Sequence, residues 1–96
     1  MLTPDYLRQH LIEKLQALHV QVEDESHLHI GHGGGTGGHY RVQVVSPLFV
    51  GKTTLQRHRL VYAALAEHMG QSIHALALQT YSPGEVSAPG IPEQIG

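Results

Sequence analysis

The sequence predicts an α+β domain of element order αββααβ, a three-stranded sheet with its helices on one face. Three patterns predict it. Leu7, Leu11, Leu15 and Leu18 recur at helical spacing near the N-terminus. Val20 and Val22, and then Tyr40, Val42 and Val44, alternate with polar residues, the period of a half-buried strand. A second helical stripe beyond residue 53 runs, through Gly70, into a short apolar stretch at 73–80.

Each element has a local reason. Thr3-Pro4-Asp5 starts the first helix: Thr3 caps, Pro4 suits the first helical position and Asp5 meets the positive end of the dipole. The leucine spacing carries that helix over 4–18, with His10 and Lys14 on a more polar face. The first strand follows, and Asp24-Glu25-Ser26 closes it. In the stretch 27–38, HLHIGHGGGTGG, Gly33, Gly34, Gly35, Gly37 and Gly38 favour a long loop over regular structure. The second strand spans 39–46 and stops at Ser46-Pro47. Across this loop the two strands can pair antiparallel. Thr53 or Thr54 begins the next helical segment. Leu55, Leu60, Val61, Ala64, Leu65, His68 and Met69 form its stripe, Gly70 stops it, and a break near Arg57-His58-Arg59 divides it in two. The third strand occupies 73–80. The folded domain is expected over 1–81. Residues 82–96, with three prolines and little apolar periodicity, are expected to be a flexible C-terminal tail.

Composition narrows the function. Ninety-six residues suggest one domain. A net charge of −2 and a pI of about 6.5 argue against a nucleic-acid coat protein, so any such contact must come from a local patch. The absence of cysteine excludes disulfides, thiol catalysis and a self-contained thiolate metal site. The apolar runs are far too short to span a membrane, so no membrane partner is expected. The first residues, MLTPDYLRQH, lack a secretory pattern, and a cytoplasmic protein is expected.

Nine histidines are many for this length. His27 and His29 are two apart and share one side of an extended segment, with His32 close behind. That spacing suits a metal ion, and it equally suits three solvated side chains. His74 shares strand parity with Leu76 and Leu78. The residues alone favour a semi-buried histidine there, with one ring nitrogen hydrogen-bonded. Lys52, Arg57, His58 and Arg59 form the densest basic patch. It can meet phosphates or an acidic protein face, or be a solvated helix start. Val61 and Tyr62 read as packing residues. Gly51-Lys52-Thr53 looks like the end of a phosphate-binding loop, but Ser46 stands where the leading glycine is needed. The glycine-rich stretch reads as a tolerant connection more readily than as an anion nest.

Phe49, Gly51, Arg57, His58, Arg59, Val61, Tyr62, His74, Ala75 and Leu76 together match an ordered motif set: Phe-x-Gly, Arg-His-Arg-x-Val-Tyr and His-Ala-Leu. In this the chain resembles the BolA family over about residues 4–85. Asp24-Glu25-Ser26 and His39-Tyr40 look like that family's Asp-Glu-Ser and Ser-His-Phe. The departure is the loop, which is slightly longer and richer in glycine. The resemblance implies a KH-like fold of the second type, αββααβ, without the Gly-x-x-Gly clamp of nucleic-acid-binding KH domains. It implies a non-enzymatic partner of monothiol glutaredoxins with a Cys-Gly-Phe-Ser active site. The pair shares a [2Fe-2S] cluster and acts in iron–sulfur trafficking and iron homeostasis. His74 matches the family's invariant ligand, and the loop ligand falls on His29, with His32 the alternate. Some bacterial members are described as DNA-binding regulators of stress response and cell shape.

The chemistry is compatible with that implication. Cluster irons prefer thiolates, and this chain offers only imidazoles, so the partner's cysteine and glutathione must supply sulfur. Histidine in place of thiolate raises the reduction potential. The expectation is therefore a free monomer that binds no cluster alone and shares one in the heterodimer. The alternative is a DNA-binding regulator using Lys52, Arg57 and Arg59, and a weaker third is an isolated His-rich zinc or copper binder.

Overall fold

The structure, a computed structural model, describes residues 2–25 and 38–85. Its elements are α1 (Pro4–Leu15), β1 (His19–Asp24), β2 (Gly38–Val45), a 3-10 turn (Pro47–Phe49), α2 (Thr54–Ala64), β3 (Ile73–Tyr81) and a final 3-10 turn (Pro83–Glu85). β2 is the central strand. It pairs antiparallel with β1, Val20 opposite Val44, and parallel with β3, Val42 opposite Leu78. Both helices pack on one face, where Leu7, Leu11 and Leu15 of α1 and Val61 of α2 meet Val20, Tyr40, Val42, Val44 and Ile73. The other face carries a polar ladder. Arg41 Nε donates to Glu25 Oε2 at 2.9 Å and Gln43 Nε2 donates to Gln79 Oε1 at 2.7 Å.

The α+β class, the three strands and the helices on one face agree with the sequence reading. Three element boundaries do not. The first helix ends at Leu15, short of residue 18. Gln16 turns left-handed at φ 52, and buried Ser46 donates its hydroxyl to Leu15 O at 2.6 Å, so a strand-end residue closes the helix. Leu18 then faces solvent, 68% exposed, with its N–H already on Val45 O. The expected break at 57–59 is absent. Thr53 forms a full capping box with Gln56, and α2 runs unbroken across the basic triplet. Of the two helices expected between Thr53 and Gly70, the structure has one, α2, so the αα pair of the αββααβ reading is corrected; the 3-10 turn at Pro47–Phe49 lies before that segment.

α2 also stops at Ala64, before Met69. If the helix ran on, Ala64 O would accept from the N–H of His68. Here His10 Nε2 takes that carbonyl at 2.8 Å, and His68 N–H bonds Leu65 O instead. The chain continues to Gly70 as tight turns. Gly51 and Gly70, at φ 76 and 80, occupy the left-handed region that favours glycine.

Candidate functional site

His74 is placed by an irregularity in the sheet. Gly38 pairs with Ile73, but the next residue, His39, pairs with Ala75. His74 is the extra residue of a β-bulge and opposes nothing on β2. The bulge shifts the alternation by one. Ile73 is fully buried with Gly38 on the core side, and His74 is exposed. Its ring lies 5.0 Å from that of His39. His39 alternates with buried Tyr40, so it belongs to the face away from the helices. The expectation that His74 is semi-buried beside Leu76 and Leu78 is therefore corrected.

His39 is the residue that sequence reasoning passed over as a site member. The signal was its position at the head of an alternating strand, beside Tyr40. The one-residue bulge that joins it to His74 left no mark in the apolar pattern. Beside the pair, Glu25, His39, Tyr40, Ala75, Leu76 and Ala77 line an open groove of about 270 Å³. Burial, then the charge of Asp24, raises the Tyr40 phenol above its ordinary range. Glu25 N–H donates to His39 O at 2.7 Å and Gly38 N–H to Ser72 O at 2.9 Å, which hold the ends of β1 and β2 against the head of β3. His27, His29 and His32 lie outside the described residues. Among the described residues, no three His, Cys, Asp or Glu side chains gather to hold a metal ion.

The basic patch divides. Lys52 and Arg59 are exposed and His58 is half-buried. Arg57 is 9% exposed, its guanidinium 6.0 Å over the Phe49 ring and bound to Glu85. Reading Arg57 as a surface residue for nucleic acid or a partner is corrected. Its position on α2 points into the core beside Val61, and its charge is neutralised within the fold. The same bond carries order past the expected boundary at 81. Ser82 is buried and Pro83–Glu85 forms a turn. The Arg57 hydrogen bonds, followed by the Ser82 N–H, hold the Glu85 carboxyl down at about 2. Tyr62, expected to pack, is 40% exposed.

A mixed three-stranded sheet backed on one face by two helices, with an imidazole lifted out at the head of the parallel strand, makes a small α+β domain. The chain belongs to the BolA family: the family's "BolA-like protein" profile matches residues 11–85. It is 40% identical over 80 residues to the Escherichia coli "DNA-binding transcriptional regulator BolA", covering 79% of this chain and 75% of that protein. It is 55% identical over 51 residues to human BolA-like protein 1, covering 53% of this chain and only 37% of the human protein. Among solved structures, the BolA domain of SufE1 from Arabidopsis thaliana superposes with a TM-score of 0.78 at 34% identity, covering 90% of this chain and 100% of that one. Among the described residues no helix is long and apolar enough to cross a membrane.

Proposed function

We propose that this protein is a non-enzymatic accessory protein that docks a monothiol glutaredoxin with a Cys-Gly-Phe-Ser active site and shares a [2Fe-2S] cluster with it and with glutathione. Iron–sulfur cluster trafficking and iron homeostasis in the cytoplasm are the proposed setting. The observation that carries the reading is His74: an exposed imidazole, fixed at a bulge on a strand, in a chain without cysteine. The donor set fits such a group. His74 is the fixed ligand, and His29, with His32 as alternate, is the proposed second, so this chain supplies nitrogen and the partner supplies sulfur. A cluster bound in this way supplies a one-electron couple poised above that of an all-thiolate centre. Imidazole must be deprotonated to ligate, so assembly weakens in acid.

The test is reconstitution with a monothiol glutaredoxin, iron, sulfide and glutathione, read by visible absorption and size exclusion. A coloured heterodimer is expected, with a spectrum distinct from that of the glutaredoxin alone. A cluster that stays on the glutaredoxin, with no heterodimer formed, overturns the reading.

A second reading rests on the similarity to the Escherichia coli DNA-binding regulator and on the exposed Lys52 and Arg59. In it the chain is a DNA-binding regulator of stress response and cell morphology. It predicts steeply salt-dependent binding to duplex DNA by the protein alone.

A further inference from the structure

Three ring side chains that the proposed function does not use meet where α1 packs against the end of α2. Tyr6 and His10 are one turn apart on α1, and His68 belongs to the turn that follows α2. The ring centroids lie 5.6 Å apart for Tyr6 and His10, 5.5 Å for Tyr6 and His68, and 5.8 Å for His10 and His68. We propose that this trio binds one divalent transition-metal ion, Cu2+ by preference, through two imidazoles and the Tyr6 phenolate.

The first argument is the state of His10. Its Nε2–H donates to Ala64 O at 2.8 Å. A carbonyl can only accept, so Nε2 carries a proton, and in the neutral form of the ring the lone pair is on Nδ1. A ring N–H committed to a backbone carbonyl is the outer-shell bond that orients metal-ligating histidines.

The second is the spacing of Tyr6 Oη and His68 Nε2, which is 3.3 Å. That is long for a hydrogen bond from a hydroxyl. It is in the range of two ligands on one ion: bonds of about 2.0–2.1 Å put ligand atoms roughly 3.3–3.4 Å apart at a tetrahedral angle and about 2.8–3.0 Å apart at the right angle copper(II) prefers, so a small closing of the pair suits copper.

Access and anchoring agree. Tyr6 is 45% exposed, and Leu2, Tyr6, His68 and Ser72 line an open cleft of about 220 Å³. α1 is held from below by fully buried Leu7 and Leu11. The turn is pinned through the His68 backbone, which donates to Leu65 O at 2.8 Å and accepts from Ile73 N–H at 2.9 Å. A phenol, and no carboxylate or thiolate, completes the trio. Imidazole suits copper, nickel and zinc, and copper(II) binds tightest in that series. Three protein ligands leave a position for water. On binding, the phenol proton leaves to solvent as the metal–oxygen bond forms, and both imidazoles donate neutral lone pairs, so affinity falls in acid.

The test is titration of the full chain with Cu2+ alone in a non-coordinating buffer, followed by visible absorption and electron paramagnetic resonance. The expected result is a phenolate-to-copper charge-transfer band that saturates at one equivalent. Tyr6→Phe should abolish the band and weaken the first equivalent at least tenfold, while His74→Ala leaves both intact. His10→Ala and His68→Ala should each remove the band. Because His10→Ala also frees the Ala64 carbonyl, Tyr6→Phe, which keeps the ring stack and the fold, is decisive. Absence of the band in the native chain, its survival in Tyr6→Phe, or its loss in His74→Ala overturns the proposal.

Discussion

The guanidinium of Arg57 holds both carboxylate oxygens of Glu85, Nη1 to Oε1 at 2.7 Å and Nη2 to Oε2 at 3.0 Å. The pair ties the middle of α2 to the turn beyond β3, and Glu85 Oε1 also accepts from Ser82 N–H at 2.9 Å. Parallel paired edges mate this geometry well, and bidentate bonds of this kind are among the stronger polar contacts. Phe49 lies beneath the guanidinium, so the Phe-x-Gly and first Arg positions of the motif are joined in one packing unit.

The bond sets an acid limit on stability. Glu85 has a folded value of about 2 against an ordinary 4.5. A depressed carboxyl contributes stability that is fully present above its unfolded value and is lost as pH falls through the folded one. The native chain should therefore lose a component of stability between 4.5 and about 2. Glu85→Gln should cost about 1 kcal/mol at neutral pH, a modest figure because the carboxylate is partly exposed. Urea midpoints across that window should converge for the two proteins, and a constant gap down to the lower end contradicts the assignment.

The two arginines of the triplet should separate cleanly. Arg57→Glu sets a second carboxylate against Glu85 over Phe49, and a loss of about 1–3 kcal/mol is expected because a buried position then holds an unpaired polar group. Arg59→Glu, at an exposed position, should stay within about 0.5 kcal/mol of the native melt. On the DNA-binding reading Arg59→Glu lowers the salt slope by about one, and Lys52→Glu does the same. An unchanged slope in both variants removes these residues from the contact.

Gly38 is tested by its neighbour. A Cβ there would lie 2.6 Å from Cε2 of Tyr40, whose ring is buried. Gly38→Ala should cost about 1–3 kcal/mol by overpacking. Gly38 also precedes the bulge, so the His39–His74 geometry should move with it. Thermal melts and the histidine ring resonances measure both effects. A melt unchanged by Gly38→Ala means that the Tyr40 ring yields freely.

These residues show what the sequence disclosed. Strand alternation at Val20, Val22, Val42 and Val44 and the cap at Thr3 lie in nearest neighbours, and the structure agrees with them. What was hidden depends on contacts distant in sequence. Ser46 ends α1, His10 ends α2, and Glu85 draws Arg57 inward. A bulge is hidden for another reason: one extra residue in β3 changes the face of His74 without changing its neighbours' polarity. The motif located His74, but parity misread which way it points.

That orientation leads to the test of His39. Its ring stands 5.0 Å from that of His74, tilted by 43°. A ring so close restricts the conformers open to His74, which makes His39 a positioning residue in the cluster site proposed above. His74→Ala, at an exposed position, should leave the melt within about 0.5 kcal/mol and remove the histidine-type spectrum of the reconstituted heterodimer. His39→Ala should keep the heterodimer but shorten the cluster's lifetime several-fold, as His74 gains freedom. His39→Phe retains a ring and removes the nitrogen donors, so it should restore the lifetime. The contrast separates positioning from ligation. If His39→Phe loses the histidine-type spectrum as fully as His74→Ala does, His39 itself binds iron and takes the place proposed for His29 or His32.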